Sequence, residues 1–184
     1  CKYPFEGVRS SAGMRGEWGQ FESYREYMDA VNEQVLVIPM IETMEAHLQA
    51  GDVGNWGAST YGREASQAVI DLGAPLRTLQ VAYSVLDRTL EAELFPSCQR
   101  AGAGLIVRSV FLQGVLSDRR HRLHEDLAPL RHAADAAARV AAELGEPLPV
   151  VALRFALFES GAQVTLVGTT DPAELDVNVD AALA

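Results

Sequence analysis

Two stretches carry residue types and spacings able to do chemistry. In "GASTYG", residues 57–62, small residues lead into the hydroxyls of Ser59 and Thr60. Trp56 to Thr60 reads as a short strand, and Arg63 to Leu72 as the helix after it. A strand that carries hydroxyls to its C-terminal end offers them to a ligand in a βα barrel; the same hydroxyls can instead cap the following helix. In "GTTDPAELDVN", residues 168–178, Asp171, Pro172 and Glu174 fit the N-cap, first and third positions of a helix. Free N–H groups and a positive dipole end make such a start suited to phosphate, while Glu174 also fits as a capping-box partner. "HRLHEDL" spaces His121 and His124 loosely like a metal pair, but the stretch is polar and charged and reads as a solvated loop. Cys1 and Cys98 give neither metal spacing nor a disulfide framework; Cys98 reads as a half-buried thiol on a helix.

These groups need a scaffold, and the pattern around them is an alternation of strands and helices. Residues 34–41, "QVLVIPMI", form an apolar run of the kind expected for a strand buried on both faces. Further strands are predicted over 53–59, 77–83, 104–110 and 163–168. The helices predicted are Phe21–Asn32, Thr43–Ala50, Arg63–Leu72, Arg88–Arg100 capped by Asp87, Leu127–Leu144, Leu148–Ser160 and Pro172–Leu183. Gly73, Gly102 and Gly145 fall just past three of them, where a helix commonly stops. Repeated strand–helix units imply a parallel sheet. The fold class expected is α/β: a partial (β/α) TIM-type barrel of about five parallel strands, against the eight of a closed barrel. An open doubly wound sheet is the structural alternative, but neither GxGxxG nor GxxxxGK[ST] is present.

Composition narrows the partners. The chain has 184 residues, enough to bury a core but short of the roughly 250 of a closed βα barrel. Its net charge of -10 repels phosphate backbones and anionic membranes. No apolar run approaches the roughly 20 residues of a membrane span. The opening Cys1-Lys2-Tyr3-Pro4 reads as no signal peptide, and the lack of an initiator Met leaves room for residues upstream. A reduced, cytoplasmic location is expected from the cysteine usage.

From about residue 46 onward the chain resembles the C-terminal half of the aldo-keto reductases, (β/α)8 barrels that reduce carbonyls with NADPH. "GASTYG" resembles the family's strand-five ending, "LQVAYSVLDR" its strand six with a glutamine, "GAGLIVRSVFLQGVL" strand seven and its loop, and "VTLVGTTDPAELDVNVDAAL" strand eight and the cofactor-binding helix. The resemblance implies that Ser59, Thr60 and Gln80 meet the nicotinamide carboxamide, groups suited to an amide that both donates and accepts. It places Arg108 where the family often has a stacking Tyr, and puts Ser109, Leu112 and Gln113 in the loop near pyrophosphate and ribose. Gly168, Thr169 and Thr170 precede the cofactor helix, and Asn178 is the expected adenine contact. Gly168 and Glu174 stand where basic residues commonly grip a 2′-phosphate; Glu174 repels one, which opens the site to NADH. The cofactor expected is therefore NADP or NAD, weakly held, with a small carbonyl compound as its partner.

The family's Asp, Tyr, Lys and His tetrad sits in the other half of its barrel. Lys2 is the only lysine here, and Tyr3, Tyr24 and Tyr27 lie outside the resembling stretch. No catalytic residue is assigned, and the chain reads as a cofactor-binding remnant. The first 45 or so residues, with "KYPFEGVRSS", "RGEWG" and "YREYMDAVNEQVLVIPMIET", resemble instead the metal-dependent class II pyruvate aldolases of the citrate-lyase-like superfamily. That resemblance makes Glu42, at a strand end, one ligand of a divalent metal such as Mg²⁺ and 1–45 a separate piece joined to 46–184. Three functions follow as expectations: a carbonyl-reducing oxidoreductase remnant, an aldolase (lyase) fragment, or a non-enzymatic half-barrel. Open sheet edges invite pairing, so a homodimer through them is a possible assembly.

Overall fold

The computed structural model describes residues 38–71 and 77–183. The chain divides into two compact units, Cys1–Gly54 and Asn55–Ala184. In the first, the described part is helix α1, Ile38–Ala50, and the turn that follows it at 51–54. This corrects the strand expected over 34–41: residues 38–41 are helical, and 34–37 lie outside the described residues, as do Phe21–Asn32. A short apolar run looks the same in a buried strand and in a buried helix. Pro39 decides it here, because proline in a first helical turn gives up only an N–H that has no partner anyway.

The second unit is built on four strands: β1 Gly57–Ser59, β2 Thr78–Ala82, β3 Gly104–Arg108 and β4 Val164–Thr165. They lie in the order β1-β2-β3-β4. Every pair is parallel, with Ser59 beside Gln80, Ala82 beside Arg108 and Val107 beside Thr165. Among the described residues, four parallel strands with intervening helices make the partial barrel that the alternation implies; two strands are shorter than expected, β1 covering only 57–59 of 53–59 and β4 only 164–165 of 163–168.

Alternation along the strands separates core from site. Leu79, Val81, Leu105 and Val107 are buried, whereas Thr78, Gln80, Ile106 and Arg108 between them are only half-buried. The buried set packs with Tyr83, Leu94, Cys98, Leu153 and Ala156, which draws the helical layer onto one face of the sheet. The residues of the other face carry polar groups, Gln80 and Arg108 among them, to the opposite side of the sheet. β1 approaches β2 so closely that a Cβ at Gly57 would sit 2.0 Å from Thr78 Oγ1 and 2.3 Å from the Thr78 carbonyl oxygen. Only glycine fits there.

The helices are α2 Arg63–Asp71, α3 Leu94–Ala101, α4 Ala128–Glu143, α5 Leu148–Glu159 and α6 Pro172–Leu183. Gly102 and Gly145 end α3 and follow α4 with φ of +68° and +71°, as their positions suggest. The one large shift is at α3, expected from residue 88. Asp87 serves a turn instead: its carboxylate accepts from the Thr89 hydroxyl at 2.8 Å, and its backbone exchanges hydrogen bonds with Ser84. Pro96 gives the reason. Deeper in a helix its ring would strike the carbonyl four residues back, at Ala92; in the first turn of α3 it fits. No helix among the described residues is long and apolar enough to cross a membrane.

Candidate functional site

Ser59 at the end of β1, Thr60 just beyond it, Gln80 midway along β2 and Arg108 at the end of β3 come together. The Ser59 hydroxyl donates to Gln80 Oε1 at 3.1 Å, a pairing set by the register of β1 on β2. This leaves Gln80 Nε2 able to donate and Ser59 Oγ able to accept, the two functions a carboxamide needs. Thr60 behaves differently. Its hydroxyl meets buried Ser66 Oγ at 2.7 Å, and Ser66 in turn donates to the Gly62 carbonyl at 2.6 Å. The Thr60 side chain is thus engaged with the start of α2, while its backbone N–H donates to the Gln80 carbonyl and extends the ladder.

Arg108 joins these strand ends to the next element. Its guanidinium donates to the Thr60 carbonyl at 3.1 Å and to Ser109 Oγ at 3.2 Å, and lies 4.2 Å over the exposed Tyr61 ring. The planar cation, expected to stack on a ligand ring, stacks here on a ring of the protein itself.

Beyond Ser109 the loop after β3 forms one wall of a cleft of about 530 Å³, with the segment from Leu166 into α6 as the other. Of the residues expected from sequence, Ser109, Gln113, Gly168, Thr169 and Asn178 line it. Leu112 packs into a core cluster with Leu116, Ala141, Leu148 and Ala152, and Thr170 is exposed outside the lining. The loop holds three non-glycine residues in the left-handed region, Ser109 at φ +63°, Leu112 at +45° and Gln113 at +56°. Such backbone is costly, roughly 1 kcal/mol or more per residue, and persists only when its surroundings fix it. Here the fixing is visible: Leu112 N–H donates to the Ser109 carbonyl, Ser117 Oγ to the Gly114 carbonyl at 2.6 Å, and Arg120 to the Ser117 carbonyl and to Asp135 of α4, both at 3.0 Å.

The opposite wall ends in the α6 start. Asp171 Oδ1 accepts from the Ala173 N–H at 2.9 Å, which confirms it as the cap. Glu174 does not reach the cap backbone as a capping box would have it. Its Oε2 accepts from the Thr169 hydroxyl, and its Oε1 lies 3.8 Å from Arg119 of the facing loop. Arg119 and Ser117 were missed by sequence reasoning. Arg119 sits in the polar, basic stretch "SDRRHR", where composition gives no sign of which arginine faces the cleft.

Glu42 is exposed on α1, within a helix rather than at a strand end as expected. Among the described residues no three His, Cys, Asp or Glu side chains gather into a metal site. His124 instead pairs with Asp126 on the surface at 3.1 Å. Away from the cleft, buried Tyr83 donates to Glu91 Oε2 at 3.0 Å, and Arg88 holds both oxygens of Glu91. Burial, then the Glu91 bond, push the Tyr83 phenol up to about 12. The Arg88 hydrogen bond holds the Glu91 carboxyl below its ordinary value. Burial raises the Cys98 thiol above its ordinary value.

Comparison with known proteins agrees with the fold. An aldo-keto reductase from Bacillus halodurans, in its holo form, superposes with a TM-score of 0.65 at 24% identity, covering 78% of this chain and 49% of that one. The glycerol dehydrogenase of Gluconobacter oxydans gives a TM-score of 0.62 at 18% identity over 78% of this chain and 48% of that one. At these identities the likeness is one of fold, and the chain spans about half the length of either structure. No curated protein matches the chain. The profile of the aldo/keto reductase family matches residues 24–184. It runs through the place near residue 45 where a join was expected, and takes in residues 24–45 that had been likened to an aldolase; nothing supports an aldolase-like segment there. By that match over most of its length, the chain belongs to the aldo/keto reductase family.

Proposed function

We propose that this chain binds a nicotinamide dinucleotide along the C-terminal ends of its strands and in the adjoining cleft, as the cofactor-holding part of a carbonyl-reducing oxidoreductase. One observation carries the reading: polar groups form a continuous track from the Ser59–Gln80 pair, through Thr60 and Arg108, to Ser109 and the cleft that ends at Thr169 and Asn178. The track is amide-suited at one end and opens at the other into a cleft within the 300–1,000 Å³ common for small-molecule sites.

The residues fit such a cofactor, NADP or NAD, on the chemistry of their donors and acceptors. Ser59 and Gln80 orient the carboxamide, Arg108 holds the strand ends in place, and Ser109, Gln113 and Ser117 offer hydroxyl and amide groups along the middle. A bound reduced nicotinamide supplies a hydride to a carbonyl carbon. The reduction also needs a proton donor at the carbonyl oxygen, and none of the residues brought together here fills that role. The small carbonyl partner, and turnover itself, therefore depend on groups beyond this track. A thermal melt of the chain with and without excess NADH or NADPH tests the reading, because a ligand that binds only the folded state raises the midpoint. A rise with either is the expected result. An unchanged midpoint with both overturns it.

A further inference from the structure

Both walls of the cleft are fastened to the same pair of helices, α4 and α5, which follow each other across residues 144–147. On the loop wall, Arg120 donates to Asp135 of α4 at 3.0 Å. On the other wall, Arg154 of α5 donates through Nε to the Ala181 carbonyl of α6 at 3.2 Å. Its Nη1 donates to Glu146 Oε1, in the α4–α5 connection, at 2.8 Å. Ala181 lies in the last turn of α6, where carbonyls lack a partner within the helix and the dipole end is negative. A guanidinium is a matching donor there. Apolar packing does less for this helix. Ala181 is its one buried residue, whereas Leu175, Val177, Val179 and Leu183 are each 47% exposed or more. A helix that buries so little apolar surface depends on its polar contacts for its place.

Ala173, Glu174, Val177 and Asn178 of α6 line the cleft, and Glu174 faces Arg119 of the loop wall at 3.8 Å. Asn178 is three residues from Ala181, less than one helical turn, so fixing the end of α6 fixes the lining next to it. We infer that Arg154 is a positioning residue for ligand capture: by holding the last turn of α6 against α5, it sets how far the α6 wall stands from the loop wall. The ligand is the nicotinamide dinucleotide of the reading above, on which this rests. Arg154 lies outside the cleft lining and acts through the helix. Glu146 holds the guanidinium so that Nε meets the Ala181 carbonyl.

Hydrogen exchange and titration with NADH and NADPH, on the full chain and on Arg154→Met, Arg154→Lys and Glu146→Gln, test it. In Arg154→Met, amide exchange over residues 172–183 quickens by about fivefold while that of β2 and β3 is unchanged. The dissociation constant of the cofactor that the wild type binds weakens by about fivefold in the same variant, through lost pre-organisation. Arg154→Lys keeps a cation and one donor for the Ala181 carbonyl, and recovers part of both losses. Glu146→Gln keeps an acceptor without the charge and moves both readouts in the same direction by about twofold. These two variants decide the matter if the methionine variant folds poorly. Exchange that quickens equally in β2, β3 and α6 marks a general loss of stability and overturns the positioning role. So does unchanged exchange in α6, or a dissociation constant unmoved by all three substitutions; each leaves the dinucleotide reading standing. Failure of the wild-type chain to bind either cofactor overturns both.

Discussion

The Arg108 guanidinium donates to the backbone carbonyl of Thr60 at 3.1 Å, tying the end of β3 to the end of β1 across the strand between them. The same side chain bonds Ser109 and covers Tyr61. Replacing it by methionine removes three contacts at the centre of the polar track. Arg108→Met is expected to lower stability by about 1 kcal/mol and to weaken dinucleotide binding by about tenfold. Arg108→Lys is expected to do nearly the same, because an ammonium cannot reach both partners with a planar fork. Chemical denaturation and cofactor titration of the two variants check this. A lysine variant that binds as well as the wild type would show that charge, not geometry, is what counts.

Gly57 is the point where β1 and β2 crowd each other. A methyl group there meets both the side chain and the backbone of Thr78, and backbone cannot swing aside. Gly57→Ala is expected to cost about 1–3 kcal/mol. It also separates Ser59 from Gln80, so binding should fall more than stability alone explains. Urea midpoints with and without NADH measure the two losses together.

Tyr83 makes stability sensitive to alkali. Its folded value is about 12, against an ordinary 10.0. A group whose folded value is raised contributes fully below its unfolded value, and the contribution disappears as pH climbs through the folded one. Stability is therefore expected to fall between about pH 10 and pH 12, and Tyr83→Phe should flatten that part of the curve at a cost of about 1 kcal/mol at neutral pH. At the acid end the sign is opposite: Glu91, held low by Arg88, contributes above its ordinary value and loses that contribution as pH drops. Melting temperature against pH for both proteins gives the comparison.

Arg120 fastens the cleft loop to α4 through Asp135 and to itself through the Ser117 carbonyl. Arg120→Met frees the loop without touching the cleft lining. The expected result is a dinucleotide constant weaker by about fivefold, through lost pre-organisation. Hydrogen exchange over residues 109–120 should quicken in the same variant; unchanged exchange there would mean that the loop is held by its turns alone.

The parts of this fold that were legible in the sequence are those where local signals agree. β2 and β3 have alternating or near-continuous apolar runs, α6 opens with Asp171-Pro172, and Gly102 and Gly145 stop their helices. The errors fall where a proline or a tertiary contact decides. Pro39 places an apolar run in α1, and Pro96 delays α3 by six residues after a turn that Asp87 stabilises. In the site, Ser59 was readable as a strand-end hydroxyl, whereas Gln80 stands midway along β2 and meets it through the register of the two strands. The Thr60 engagement with Ser66 and the Arg119 position facing Glu174 were not readable, since each depends on a side chain arriving from a separate element.

The left-handed residues of the cleft loop bear on how this protein can be improved. Ser109, Leu112 and Gln113 occupy backbone that suits glycine, yet none of them is glycine. A screen for heat-resistant variants would be drawn to these positions, because glycine removes the steric penalty of the folded backbone. Each such replacement also enlarges the freedom of the unfolded chain and deletes a side chain: two of them line the cleft and the third anchors it to the core. Selection for robustness alone and selection for ligand capture would therefore pull this short loop in different directions, and a directed-evolution experiment that rewards both should leave it unchanged.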